Sequence, residues 1–201
     1  MVELLHGQVA LAAGVDPDRS SLVEHRAPAV SRVTGLAEQL PFPDQGFDLV
    51  ICSWVLEHVA RPEIALAEVA RVLQSPDPVT GRAGGHFVFL TPNAWHPLTW
   101  INRLVGRVGD WQARLVRSLY ARAEVDTYPI AYRANTWRRL ERLARGAGLL
   151  PTAFCSVGDP TYLAFNELFY RLAGLAEALT PRWMKVHLVG DFVKGMPDDT
   201  S

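Results

Sequence analysis

Asp16 closes a short apolar run, VALAAGV, and is followed by Pro17 and Asp18. In an open α/β sheet, a carboxylate at the end of a buried strand lies at the edge where ligands bind, and it can accept two hydrogen bonds from a ribose diol. The same position also suits the cap of a following helix, whose first amides lack partners. Both readings stay open on residue type alone. Ser53 and Trp54 follow a second apolar run, FDLVIC, and Asn93, Trp95 and His96 follow a third, HFVFL. A serine hydroxyl there can hydrogen-bond a ligand. A tryptophan face attracts a cation by about 0.5–2 kcal/mol, although it serves equally as a core anchor. His58 carries an imidazole that can orient a substrate, act as a base or satisfy local backbone.

These groups share one edge only if the runs before them are parallel strands. Short strands are predicted over residues 9–15, 30–33, 47–52, 86–90, 149–157 and 185–195. Helices are predicted over 19–25, 62–73, 136–147 and 166–179, with a longer helical stretch over 99–122 that Gly106 and Gly109 can break. Residues 2–5 read as the last turn of a helix. FDLVIC is continuously apolar after one acid, as expected of a parallel strand covered on both faces. Pro62 suits a helix start. Strands alternating with helices at these intervals predict an α/β domain with a mainly parallel sheet.

The bulk properties narrow the function classes. The 201 residues suit a single domain, and 49% hydrophobic with 20% charged residues is a globular composition. A formal net charge of −1 gives no global reason to expect nucleic acid as a partner. Two distant cysteines, Cys52 and Cys155, form neither a disulfide framework nor a zinc spacing, and six scattered histidines show no ligand pattern, so no metal site is expected. A reducing, cytoplasmic setting is the resulting expectation. No apolar run is long enough to span a bilayer.

The segment LAEQLPFPDQGFDLVICSWVLEHVARPEIALAEVARVL (36–73) resembles the core of class I S-adenosylmethionine-dependent methyltransferases of the type 11 kind. The resemblance is carried in order by Ala37-Glu38, Leu40-Pro41-Phe42, Asp44, Phe47-Asp48 and Glu57-His58. It implies a Rossmann-like sheet, mostly parallel with an antiparallel C-terminal strand, and extra helices in the C-terminal half. It also implies a single domain, with a cofactor-binding half over 1–95 and substrate-side helices plus the last two strands over 96–201. The implied cofactor is S-adenosyl-L-methionine, held by Asp16 at the ribose, Leu36, Ala37 and Glu38 at the adenine, and Ser53 and Trp54 at the methionine end. The family usually has an acid where this chain has Leu36. Leu36 can only pack on the adenine face, which leaves the polar contact to the Ala37 amide or Glu38. Trp95, His96, Tyr132 and Arg133 fall on the acceptor side, and His58 is the one candidate base. Methyl transfer needs a general base only for acceptors such as a hydroxyl, so the lack of an obvious catalytic cluster does not argue against it.

The family's glycine-rich turn, Gly-x-Gly-x-Gly, precedes the strand that ends in the ribose-binding acid. No such turn precedes Asp16. The resemblance therefore implies that the first strand, its loop and most of the first helix are missing from this sequence, leaving unpaired edges on the neighbouring strands. The expected function is methyl transfer to a small-molecule or lipid-linked acceptor, impaired by this loss. The alternative is a non-catalytic remnant acting as a binding or scaffold module. An NAD-dependent enzyme also fits Asp16, but not the LPFPDQGFDLV and LEHV stretches. Arg103, Arg107, Arg114 and Arg117 share a stripe if their helix is continuous. That stripe is either a solvated face or a peripheral contact with an anionic acceptor or membrane surface.

Overall fold

The structure is a computed structural model that describes residues 9–24, 30–97, 99, 130–159 and 167–196. Six strands and four helices are used below: β1 (Ala12–Asp16), α1 (Arg19–Glu24), β2 (Val30–Thr34), β3 (Leu49–Ser53), α2 (Pro62–Val72), β4 (His86–Pro92), α3 (Trp137–Gly146), β5 (Leu149–Val157), α4 (Glu167–Leu179) and β6 (His187–Lys194). A short 3-10 turn, Arg182–Met184, links α4 to β6. The expected helix tail at 2–5 and most of the expected helical stretch at 99–122, with all four of its arginines, lie outside the described residues.

The strands form two sheets rather than one. β1 pairs with β2 in parallel, in a two-stranded sheet. The second sheet has the order β3-β4-β6-β5; β3 and β4 are parallel, and β6 runs antiparallel to both β4 and β5. β5 therefore points the same way as β3 and β4, and β6 is the reversed strand expected at the C-terminus. Among the described residues, β1 and β3 each pair on one side only.

One apolar core serves the four-stranded sheet. Phe87 and Phe89 from β4 and Phe192 from β6 have no solvent exposure, and they meet Leu66, Val69 and Leu73 beside α2 and Leu140 and Ala144 from α3. The alternation on β4 follows the two-residue period of a strand: Phe87, Phe89 and Thr91 are buried, while His86, Val88 and Leu90 are half-buried. Trp137 stacks on Phe154 with ring centroids 4.0 Å apart and closes the β5 side. Each such aromatic side chain contributes about 1.5–3 kcal/mol on burial. Gly190 is required beneath this cluster, because an added Cβ would run into the Phe89 ring. Gly84 is required for a similar reason: a Cβ there would collide with the Lys194 carbonyl oxygen.

The strand limits differ from those predicted where pairing ends. Val9 and Leu11 are 44% and 66% exposed, because the β1 ladder begins only where Ala12 meets Val30. Phe47 bridges Leu73 instead of β4, so β3 begins at Leu49. β4 continues to Pro92 because β6 offers His187 opposite it.

Candidate functional site

The strand-end residues singled out in the sequence follow β1 and β2 in one sheet and β3 and β4 in the other, with a polar frame between β2 and α2. α2 and the loop before β3 make its first part. Arg71 donates through Nε and Nη2 to the Glu68 carboxylate at 2.7 and 2.8 Å, and through Nη1 to Asp44 Oδ1 at 2.7 Å. The same guanidinium donates to the carbonyl oxygens of Leu40 and Phe42. Glu68 also accepts from the Leu40 amide at 2.8 Å, and the bond from Arg71 holds its carboxyl below the usual range. The Leu-Pro-Phe-Pro-Asp motif is thus a clamp that ties the segment after β2 onto α2. The fork geometry of arginine suits such a role. Glu38 is drawn into the same scaffold: its Oε1 accepts from the Arg61 amide at 3.3 Å, just ahead of α2.

Of the two acids that could cap the following helix, Asp18 takes that role. Asp18 caps α1, accepting from the Ser20 amide at 2.9 Å and from the hydroxyls of Ser20 and Ser21. The Ser20 bonds hold the Asp18 carboxyl below its ordinary value. Asp16 stands outside the helix and accepts one bond at Oδ1, from the Asp18 amide at 2.7 Å. The Asp16 carboxylate therefore sits half-buried at the strand end. Leu36 is 52% exposed beyond β2, so it is not a core residue, and Ala37 lies beside it in a tight turn closed by the Gln39 amide on the Leu36 carbonyl at 3.0 Å.

Ser53 ends β3 and Trp54 turns the chain away from it. Trp54 has φ 58°, in the left-handed region, and its amide donates to the Leu90 carbonyl at 3.0 Å. A non-glycine residue in that region costs about 1–3 kcal/mol and persists only where its surroundings enforce it. The indole is 41% exposed, so Trp54 is not a core anchor, and it meets the His187 ring edge-on at 4.8 Å. His58 lies in a turn whose amide donates to the Val55 carbonyl at 2.9 Å, one turn before α2 rather than at its start. Tyr132 and Arg133 cross this segment. The Tyr132 amide donates to the Glu57 carbonyl, and Arg133 Nη1 donates to the Ala60 carbonyl at 3.0 Å.

Beneath this edge runs a buried polar chain that residue types alone do not single out. Asn135 Nδ2 donates to Thr91 Oγ1 at 2.6 Å, and Thr91 Oγ1 donates to Glu57 Oε2 at 3.0 Å. Glu57 is 5% exposed, and Asn135 Oδ1 is buried with no partner among the described residues. The Cys52 thiol lies beside this chain; burial first, and then the Glu57 charge, push it up to about 12. Cys52 is therefore a structural thiol and not a nucleophile.

A second polar group forms past β4. Asn93 Nδ2 donates to the carbonyl oxygens of Trp183 and Lys185 at 2.8 and 2.9 Å, while its Oδ1 accepts from the Trp95 amide at 3.0 Å. This one side chain joins the turn after β4 to the turn before β6. His96 Nε2 then lies 3.5 Å from Glu177 Oε1, and Lys185 Nζ lies 3.1 Å from Glu177 Oε2. Trp95 and Trp183 meet edge-on at 6.5 Å. Sequence reading picked out Trp95 and His96 but not Trp183, Glu177, Lys185 or His187, which arrive from more than eighty positions away. A shallow groove lined by Ser75, Ala147, Lys194 and Met196 lies at the opposite edge of the sheet. Among the described residues no group of acids, histidines and cysteines could hold a metal ion.

Comparison with known proteins places the fold among methyltransferases. Residues 1–76 match the methyltransferase domain family. An uncharacterised methyltransferase, YcgJ of Bacillus subtilis, is 28% identical over 112 residues, which cover 51% of this chain and 43% of that protein. The chain thus matches less than half the length of this curated relative. A solved S-adenosylmethionine-dependent methyltransferase from Mesorhizobium loti superposes with a TM-score of 0.59 at 17% identity, over 96% of this chain and 84% of that one. A putative methyltransferase solved with the Haloferax volcanii Trm112 activator superposes at 0.57 with 16% identity, over 97% of this chain and 77% of that one. Residues 1–76 thus resemble the methyltransferase domain family, and the chain has the Rossmann-like mixed α/β fold of the solved methyltransferases it superposes on.

Proposed function

We propose that this protein transfers a methyl group from S-adenosylmethionine to a small-molecule or lipid-linked acceptor, and that the chain described here holds the cofactor weakly. The reading is supported by Asp16, Leu36 and Ala37 at the carboxyl ends of β1 and β2 and by Ser53 and Trp54 at the carboxyl end of β3. The residues fit the cofactor in part. Asp16 would accept from the ribose hydroxyls, Leu36 would cover an adenine face, and Trp54 would offer its ring to a sulfonium. Glu38 is already engaged with the Arg61 amide and supplies no ready adenine contact. When bound, the cofactor supplies an activated methyl group; the chain's own task is to orient and shield the acceptor.

The observation that carries the weak-binding part is the break between β1 and β3. In the family, a strand and glycine-rich turn in that break present backbone amides to the cofactor's carboxylate end. The few remaining polar contacts, worth roughly 0.5–1.5 kcal/mol each, do not offset the ordering of so flexible a ligand. Calorimetric titration of S-adenosylmethionine into this chain, and into a version with a strand, Gly-x-Gly turn and helix fused ahead of residue 1, tests this. The fused version should bind and the chain alone should not. Low-micromolar binding by the chain alone would overturn the account. A second reading, a non-catalytic binding module, is favoured by the same open edges and gains if neither version binds.

Two further proposals concern surroundings. Contact with an anionic lipid surface rests on the charge pattern of Arg103, Arg107, Arg114 and Arg117, and vesicle sedimentation with and without anionic lipid tests it. A cytoplasmic location is proposed with it. Among the described residues no helix is long and apolar enough to cross a membrane.

A further inference from the structure

α4 carries its charge inward and its leucines outward. With about 3.6 residues per turn, Glu177 falls on one side of the helix, and Leu172, Leu175, Ala176 and Leu179 fall on the other. The inward side is held by polar contacts. Lys185 Nζ donates to Glu177 Oε2 at 3.1 Å and to the Glu177 backbone carbonyl, and Gly158 approaches so closely that an added Cβ would meet the Glu177 carboxylate. On the outward side, Leu172, Leu175 and Leu179 are 52%, 64% and 85% exposed, and Ala176 is exposed between them. Four residues past Leu179, Trp183 is exposed as well and meets the exposed Trp95 edge-on. The stripe stays open among the described residues. A single surface leucine needs no explanation. Three on one stripe of a thirteen-residue helix, with the acid turned to the body, are the pattern of a docking face.

We propose that α4 is a self-association surface, on which two copies of this chain pair antiparallel through Leu172, Leu175, Ala176 and Leu179. The spacing of the leucines, three and then four positions, is the one at which a helix packs along another helix. A two-fold axis between residues 175 and 176 sets Leu172 against Leu179 of the second copy and Leu175 against its small Ala176. The same axis brings Glu167, which pairs with Arg171 at 2.8 Å, within one turn of the second copy's Arg182. Glu167 and Arg182 are both exposed. Each end of the stripe thus meets the opposite charge, twice over by symmetry, as a contact between identical patches requires. An anionic lipid surface gains no such match, because it would meet Glu167 at one end as well as Arg182 at the other. The formal net charge of −1 sets little repulsion between two copies. Thirteen residues make a helix about 20 Å long. A contact of that length falls short of the roughly 1,200 Å² of a stable interface, so the pairing is weak and depends on concentration.

The test is sedimentation velocity on the full chain over a concentration series. Monomer should give way to dimer with a Kd on the order of tens of micromolar. Leu175→Glu should keep the far-UV spectrum and the urea midpoint, since Leu175 is exposed in the single chain, and should weaken the dimer at least about tenfold. Leu179→Lys makes the same measurement at a second position if Leu175→Glu unfolds the chain. Glu167→Arg alone and Arg182→Glu alone should each weaken the dimer about three- to fivefold, because each sets like charges together at both ends of the stripe. An equimolar mixture of these two variants should dimerise as well as the unaltered chain, because every contact in the mixed dimer regains an opposite pair. A dimer formed elsewhere, such as along the open strand edges, does not show that rescue. A chain that stays monomeric throughout, a dimer indifferent to Leu175→Glu, or charge variants that mixing does not rescue would each overturn the proposal. Sedimentation with vesicles of neutral and of anionic lipid reads the other occupant. Vesicle binding that Leu175→Glu removes, in a chain that does not self-associate, overturns the proposal and assigns the stripe to a membrane.

Discussion

β1 and β4 are both strands of parallel ladders, and both are rich in apolar residues, yet they end in different environments. Every residue of β1 is half-buried, whereas β4 alternates between half-buried residues and residues with no exposure. β4 has a partner on each side and two helices over its inner face. Among the described residues β1 has one partner, β2, and a six-residue helix beside it. β3 shows the intermediate case, with Val50 and Cys52 against the core but Leu49 and Ile51 39% and 36% exposed. Local sequence makes each of these a strand. Only a neighbour on both edges turns a strand into a core, because burial and ladder bonds are gained together.

The comparison predicts its largest effect in amide hydrogen exchange. Amides of β4 and β6 should exchange only through global unfolding, while those of β1 and β2 should exchange through local opening, orders of magnitude faster. Equal protection in the two sheets would break the contrast. Side-chain truncation should follow. Phe192→Ala should cost about 3–5 kcal/mol in urea unfolding, because it opens a cavity among Phe87, Phe89 and Trp137. Val15→Ala in β1 should cost much less than a core truncation, since Val15 is already half-exposed.

The cofactor side gives a smaller effect. In the fused version, Asp16→Asn should weaken S-adenosylmethionine binding by about 1.5–3 kcal/mol, the value of charge-assisted bonds to a diol. Calorimetry that finds equal affinities would remove Asp16 from the ribose site.

The smallest expected effect is a pH dependence confined to the acceptor half. Burial lowers the folded pKa of His96 and His187 below the ordinary 6.5. Below that pH the unfolded chain takes up protons that the folded chain refuses, so stability falls as the solution is acidified from pH 7. His187→Asn should flatten the urea midpoint between pH 7 and 5, and an unchanged slope would show that the imidazole titrates alike in both states.

Much of this was legible in the sequence. FDLVIC and HFVFL announce parallel strands by unbroken apolar runs, although FDLVIC is not covered on both faces as expected, since Leu49 and Ile51 are exposed; LLPTAFCSV coincides with β5 residue for residue. Residue types alone could not separate Asp16 from Asp18, because either carboxylate can cap a helix; the position of α1 assigned that task to Asp18. Leu36 and Trp54 could each have been core; among the described residues both are exposed, Trp54 where the backbone turns into the left-handed region. The Asn93 junction and the His96–Glu177–Lys185 group were hidden for a different reason. Their members lie far apart in the chain, and each alone is of a polar type that is mostly found at the surface. The sequence determined which segments become strands, because that depends on local apolar pattern. The tertiary structure decided which polar groups meet, because β6 runs back against β4 and delivers residues 183–187 to the edge where Asn93 and His96 already stand.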